Sequence, residues 1–226
     1  MRMIHKIVKK VLSFTLLPFL RIYLNSPRTY QYQGINLRII PGVFHPGFFF
    51  STQFLLKYIK HLPLNGRSFL ELGAGSGLIS FYANLKGAKV TASDISTNVI
   101  QNIAFNQLKN GVNFEVIHSD LFTEFGDRKF EMILINPPYF KRNPKSEADY
   151  AWYCGENSEY FIRLFSELNN FICNESLVLM ILSEECAIVE IKQIAKQNNF
   201  VLKVVKRKRI WLEENFIFEV KAIISQ

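Results

Sequence analysis

The first 67 residues contain no aspartate or glutamate, against ten lysines and arginines. The remainder carries 17 basic and 19 acidic residues, so the whole +8 excess lies ahead of residue 68. A one-signed stretch of this kind attracts nucleic acid or an anionic membrane, or serves as a solubilising surface with no partner. Cysteine is scarce as well. Cys154, Cys173 and Cys186 cannot all pair and share no short ligand spacing, which reads as free thiols in a reducing cytoplasm. His5, His45, His61 and His118 are scattered without a zinc signature, so no metal site is assigned. The apolar run over residues 11–20 is closed by Arg21, with no small-residue cleavage site after it. It is too short for the ~20 residues of a membrane span, and neither a span nor a secretory signal is expected. No internal repeat or low-complexity stretch is present.

At 226 residues, 49% hydrophobic and 20% charged, the sequence suits one folded domain with an extension. Ile4, Ile7, Val8, Val11, Leu12, Leu16, Phe19 and Leu20 recur at helical spacing, with Lys6, Lys9, Lys10 and Ser13 opposite and a bend at Pro18. This predicts a basic amphipathic extension over residues 1–40, its helix docked on the main domain or lying on RNA or an anionic membrane. The main domain is expected over residues 41–226. Residues 31–40 read as a short strand or hairpin and residues 41–47 as a turn-rich linker. Phe48, Phe49 and Phe50 precede a helix with Ser51 or Thr52 as its cap, and they read as core or as a lid over a site.

The organising stretch is Phe-Leu-Glu-Leu-Gly-Ala-Gly-Ser-Gly-Leu-Ile-Ser at residues 69–80. It predicts a buried strand, an abrupt turn at Gly73, Gly75 and Gly77, and a helix running to Lys86 before Gly87. Glycine at alternate positions lets the backbone approach a ligand closely, and the helix N-terminus offers free N–H groups. A dinucleotide site wants G-x-G-x-x-G, which this spacing does not give, so a nucleotide-dependent oxidoreductase is disfavoured. Instead an acid, Glu71, stands two residues before the first glycine.

Further strand–helix units follow in order. Residues 89–94 form a strand ending in Asp94, which can accept from both hydroxyls of a ribose or cap the next helix with Ser96 as the other candidate. That helix spans residues 96–110, with Val99, Ile100, Ile103, Ala104 and Leu108 on its apolar face and Gly111 ending it. A third strand over residues 113–120 ends in Asp120, which can accept from an adenine amino group, with Leu121 packing on the base; a turn aspartate is the plain alternative. A fourth strand, residues 129–135, runs directly into Asn136-Pro-Pro-Tyr-Phe. Open α/β sheets bind ligands beyond the carboxyl ends of their strands, where Glu71, Asp94, Asp120 and Asn136 would converge. Helices over 156–171 and 184–198, a strand over 176–183, and a closing strand pair over 200–206 and 215–224 complete the layout. The basic run Lys206-Arg-Lys-Arg at the end of the pair's first strand reads as a solvated hairpin edge.

The Asn-Pro-Pro-Tyr stretch suggests its own chemistry. The nitrogen of an aromatic amine or a carboxamide is a poor nucleophile because its lone pair is delocalised. Two acceptors for its N–H bonds, the Asn136 side-chain oxygen and the Pro137 carbonyl, favour a pyramidal nitrogen with the lone pair freed. Pro137 and Pro138 fix the backbone before substrate arrives, and Tyr139 or Phe140 offers a flat face for stacking.

The glycine turn with its leading acid (residues 71–77), Ser93-Asp94, Ser119-Asp120 and Asn136-Pro-Pro-Tyr-Phe together resemble class I S-adenosylmethionine-dependent methyltransferases. The likeness is to the HemK-like, or methyltransferase small-domain, group and covers roughly residues 42–224. Cys154-Gly-Glu-Asn also resembles the helix start that follows this motif in HemK-type enzymes. The resemblance implies a doubly wound, mostly parallel seven-stranded sheet with the last strand antiparallel. It implies S-adenosylmethionine held by Glu71, Gly73, Gly75, Gly77, Asp94, Asp120, Leu121 and Asn136. It further implies a cytoplasmic N-methyltransferase acting on a planar nitrogen through Asn136, Pro137, Pro138 and Tyr139. The substrate leans to protein glutamine, with an RNA adenine amino group as the alternative. A silent methyltransferase-fold binding module is a third reading, opposed by the intact Asn-Pro-Pro-Tyr. Two departures bear on the release-factor substrate of HemK-type enzymes: only residues 1–40 stand in place of a helical recognition domain, and Lys141-Arg-Asn-Pro-Lys-Ser follows the motif where Glu-Pro is common.

Overall fold

The structure, a computed structural model, describes residues 23–48, 50–210 and 213–223. The amphipathic helix expected over residues 4–20 lies outside the described residues. A hairpin of β1 (Arg28–Tyr32) and β2 (Ile35–Ile39) comes first, then α1 (Phe50–Ile59). The main sheet contains β3 (Ser68–Leu72), β4 (Lys89–Asp94), β5 (Glu115–His118), β6 (Phe130–Ile135), β7 (Ile172–Ser183), β8 (Phe200–Ile210) and β9 (Glu213–Ala222). Its order is β5-β4-β3-β6-β7-β9-β8, with β9 antiparallel to β7 and β8 and the other pairings parallel. This is the doubly wound, mostly parallel sheet that the sequence implies.

Both faces of the central strands are buried because successive side chains point to opposite sides. Phe69, Met132 and Leu134 join one core, with Leu55 of α1, Leu78 and Phe81 of α2 (Leu78–Leu85) and Ile103 of α3 (Thr97–Asn110). Leu70, Ile133 and Ile135 join the other, with Phe161 and Leu164 of α4 (Glu159–Leu168) and Ile191 of α5 (Ile188–Gln197). Chain order reverses between β3 and β6, which puts a crevice at their carboxyl ends.

Several boundaries differ from the sequence reading. The first helix begins at Phe50, so Ser51 and Thr52 lie within its first turn and do not precede it. The helices expected from residues 156 and 184 begin at Glu159 and Ile188. Strand β8 continues to Ile210, so Lys206, Arg207, Lys208 and Arg209 sit inside an edge strand. Cations exposed along an edge discourage pairing with another chain.

Helix α3 turns a different face inward from the one its apolar residues suggest. Val99 and Ile103 are buried, but Leu108 is 85% exposed, while Asn102 and Asn106 are buried. The reason lies in β2, whose outer edge has no strand partner among the described residues. Asn106 Oδ1 accepts from Arg38 N (2.8 Å) and its Nδ2 donates to Arg38 O (2.9 Å). One turn on, Asn110 does the same for Asn36 N (2.8 Å) and Asn36 O (3.0 Å). The two carboxamides stand in for a strand, satisfying backbone groups that would otherwise be buried without partners. Ile35, Leu37 and Ile39 are thereby held in the same core as α1 and α2. Asn106→Ala leaves one backbone donor and one acceptor of β2 unpaired. It should lower unfolding free energy by about 2–3 kcal/mol, read from urea titration. A loss below ~0.5 kcal/mol would mean the hairpin is held by its apolar face alone.

Candidate active site

The carboxyl ends of β3, β4 and β6 open into a cavity of about 570 Å³. The glycine turn forms its floor. Gly73, Gly75 and Gly77 have φ of 76°, 52° and 74°, the left-handed region that side chains with a Cβ rarely adopt. Gly73 N and Ala74 N donate to Ser93 O (2.9 and 2.8 Å), and Gly75 N donates to Asp94 Oδ2 (2.9 Å), which ties the turn to the end of β4. Gly77, expected with them at the cofactor, is not in the cavity wall. A Cβ there would come within 3.0 Å of Ile103 Cγ1, so Gly77 brings the start of α2 against α3.

Gly77 is also the N-cap of α2 and has no side chain to cap with. Glu71 does it from the neighbouring strand: its Oε2 accepts from Ser80 N (2.8 Å) and from the Ser80 hydroxyl. Glu71 is only 6% exposed. Burial pushes its pKa up to about 8, against the opposing pull of the Ser80 hydrogen bonds. Asp94 is raised as well, again by burial first, while backbone N–H groups of Gly75, Ser96 and Ile95 favour its charged form. The choice between Asp94 and Ser96 as cap of α3 falls to Ser96, whose hydroxyl accepts from Val99 N (3.4 Å).

Asp120 follows β5 and accepts from Arg163 Nη1 of α4 (2.6 Å). Beside it Leu121 is buried at φ 52°, braced by the Ser119 hydroxyl donating to its carbonyl (2.9 Å). At the end of β6, Asn136 Nδ2 donates to Ser51 Oγ of α1 (3.2 Å). The Pro137–Pro138 step leads to Tyr139 and Phe140, whose N–H groups both donate to Trp152 O (3.2 and 3.0 Å); Cys154 N donates back to Phe140 O (3.0 Å). The motif is thus clamped by a segment that no local signal connects to it. Tyr139 is held beside Ser183, and burial raises its pKa, so its hydroxyl stays protonated.

Glu71, Gly73, Gly75, Asp94, Asp120, Leu121, Asn136, Pro137, Pro138 and Tyr139 all line this one cavity. Phe48 and Phe50 line it too, 39% and 44% exposed, and so belong to its mouth and not to the core. Ser51, Trp152 and Arg163 were not singled out as site residues from sequence, because isolated polar and aromatic residues carry no periodic signal. The acidic groups in the wall suit a cationic ligand: Asp94, Asp120, Glu147, Glu159 and Glu213, with Glu71 beside them, face a single guanidinium among the described residues, that of Arg163. The Ser93 hydroxyl is buried in the same wall with no hydrogen-bond partner among the described residues, a polar position for a ligand to satisfy. Among the described residues no cluster of His, Cys, Asp or Glu could hold a metal ion, and no helix is long and apolar enough to cross a membrane.

The raised Glu71 pKa has a consequence for stability. The folded state holds this proton more tightly than the unfolded chain does, so its contribution is complete below the unfolded pKa, near 4.5, and declines as pH rises through about 8. Glu71→Gln keeps an acceptor for Ser80 N without the titration. The wild-type minus variant difference in unfolding free energy should fall on the order of 2–4 kcal/mol between pH 5 and pH 9 in urea titrations. A difference independent of pH would show that Glu71 is ionised throughout.

A family model of the methyltransferase small domain matches residues 34–164. A protein from Methanocaldococcus jannaschii that carries the name of a protein N5-glutamine methyltransferase is 30% identical over 81% of this chain and 94% of its own length. The ribosomal RNA small subunit methyltransferase C of Yersinia pestis is 31% identical over 49% of this chain, which spans 32% of that longer protein. Among solved structures, the 16S rRNA N2 G1207 methyltransferase of T. thermophilus, in complex with AdoMet and guanosine, superposes with a TM-score of 0.58 at 16% identity. The superposition covers 85% of this chain and 50% of that one. With the doubly wound sheet, the glycine turn and the acidic cavity in place, the chain belongs to the methyltransferase small domain family and is an S-adenosylmethionine-dependent methyltransferase.

Proposed function

We propose that this enzyme methylates a planar, sp²-bonded nitrogen, the side-chain amide of a protein glutamine, in the cytoplasm where its cofactor is made. The observation that carries this reading is the state of Asn136. With Nδ2 engaged by Ser51, its Oδ1 has no partner among the described residues and is left to accept from a substrate N–H. The Pro137 carbonyl supplies the second acceptor. Two acceptors suit an NH₂ group whose lone pair must be freed, and would be wasted on a hydroxyl or a thiol. When bound, S-adenosylmethionine supplies a methyl carbon on a cationic sulfur, which leaves as a neutral thioether as the C–N bond forms. The proton displaced from nitrogen passes to solvent after transfer, so no strong base is required of the chain. Asp94 would hold the ribose hydroxyls, Asp120 and Leu121 the adenine, and the Gly73 and Gly75 backbone with Glu71 the remainder. Tyr139 and Phe140 present flat faces to the planar acceptor.

A second reading, an RNA amino group, has its own observation. Lys206, Arg207, Lys208 and Arg209 make no ion pair or side-chain hydrogen bond among the described residues. Their strand pair lines the cavity at Ile210, Glu213 and Asn215, and the basic run directly precedes Ile210 in β8. Together with the acid-free first 67 residues they suit a phosphate backbone. Incubation with labelled cofactor and methylation-deficient extract separates the two. Label that survives ribonuclease and is lost to protease selects the protein substrate, and the reverse selects RNA.

Asp94→Ala should weaken S-adenosylmethionine binding about 10- to 100-fold by calorimetry, the loss of hydrogen bonds to a charged group. Unchanged affinity would remove Asp94 from the ribose site. Asn136→Ala should keep the fold and the cofactor affinity while lowering the rate of label transfer at saturating cofactor ~100-fold or more, because its interaction is made chiefly in the transition state. If that variant instead loses cofactor binding and keeps its rate, Asn136 belongs to the cofactor pocket.

A further inference from the structure

Among Glu71, Asp94 and Asp120, Asp120 is the acid paired with a cation among the described residues. The turn that carries it is fixed through the backbone. The Ser119 hydroxyl donates to Leu121 O, Leu121 stands at φ 52°, and Thr123 N donates to Asp120 O (3.4 Å). None of these contacts touches the carboxyl group. That side chain is 47% exposed, and on an open turn it has several staggered rotamers to choose among. Its hydrogen bond comes from a helix 43 residues away, where Arg163 Nη1 donates to Oδ2 (2.6 Å).

We infer that Arg163 is a positioning residue for the cofactor's base: its guanidinium holds Asp120 Oδ2 and leaves Oδ1 to accept from the 6-amino group of adenine. The direction of each bond is settled by the groups themselves, because a guanidinium has donors alone and a carboxylate acceptors alone. Oδ1 has no partner among the described residues, and both Asp120 and Arg163 line the cavity. Arg163 is itself held from a second side, its Nε lying 3.6 Å from Glu167 Oε1 one turn further along α4. Phe161, Leu164, Phe165 and Leu168 anchor that helix in the core with exposures of 1% or less. The guanidinium is therefore a fixed point against which the carboxylate is oriented. An unpaired Asp120 would still be an acceptor, but it would have to give up rotamers when the base arrives. The inference rests on the adenine contact proposed for Asp120 and adds the residue that aims it. It does not depend on which nitrogen is methylated.

The test uses the full chain, calorimetry and two ligands: S-adenosylhomocysteine, and its analogue with purine in place of adenine, which lacks the amino group. The wild type should prefer the amino ligand about tenfold or more, as expected of a hydrogen bond to a charged acceptor. Arg163→Met should bind S-adenosylhomocysteine about threefold to tenfold more weakly and the purine analogue within about twofold of wild type, which narrows the preference. Its melting temperature should stay near the wild-type value, since a half-exposed ion pair contributes little to stability. On an Asp120→Ala background the same substitution should change the affinity for S-adenosylhomocysteine less than about twofold. Equal loss for both ligands, an unchanged preference, or an undiminished loss on the Asp120→Ala background would each overturn the assignment. Failure of the underlying contact looks different: there Asp120→Ala alone would leave the preference for the amino ligand at its wild-type size.

Discussion

Two carboxylates fix the glycine turn, and the position of everything else in the cavity follows from it. Glu71 reaches from β3 to the Ser80 amide inside α2, and Asp94 reaches from the end of β4 to the Gly75 amide. Between them they set where the helix N-terminus lies relative to the two strands. Both acids are raised by burial, and their mutual repulsion raises Glu71 further. Buried acids are a poor arrangement for stability alone and a good one for a sulfonium cofactor, whose positive charge would favour their ionised forms. Here the same groups serve the fold and prepare the site.

The opposite wall is assembled from distant parts of the chain. Asn136 ends β6, Ser51 comes from α1, Trp152 clamps Tyr139 and Phe140, and Asn215 of β9 closes the far side. Short-range order within the proline motif is covalent, whereas its register against the rest depends on hydrogen bonds to Trp152 and packing into the second core. The division is useful chemically. The glycine-turn end of the cavity is built on consecutive strands and turns, while the Asn136 end joins residues from separate parts of the chain. An acidic interior with Lys206–Arg209 on the neighbouring edge strand adds a second contrast, between the charge that meets the cofactor and the charge displayed outside.

Most of the architecture was legible because it is written in local patterns. Short apolar runs located β3, β4 and β6, and glycine spacing located the turn and set it apart from a dinucleotide loop. Acids at strand ends then placed Asp94 and Asp120 on one edge, since every strand of a parallel set points the same way. The misread face of α3 has a clear cause. Helix α3 was expected to bury Leu108, but β2 needed acceptors and donors along its free edge, and Asn106 and Asn110 supply them. Unmet backbone hydrogen bonds outweigh the transfer of one leucine, and no window of the α3 sequence contains that requirement.

The sequence by itself therefore determined where the strands and helices lie along the chain, the place of the glycine turn, and the identity of most groups that line the cavity, because each depends on residues a few positions apart. Only the tertiary structure decided that Gly77 packs helices and stays out of the cavity wall, and that Glu71 replaces a missing helix cap. It alone brought Ser51 of α1 into contact with the Asn136 side chain. Each of those outcomes is a contact between separately encoded segments. Its geometry is set by how two cores press those segments together, which is a property of the packed chain and of no stretch within it.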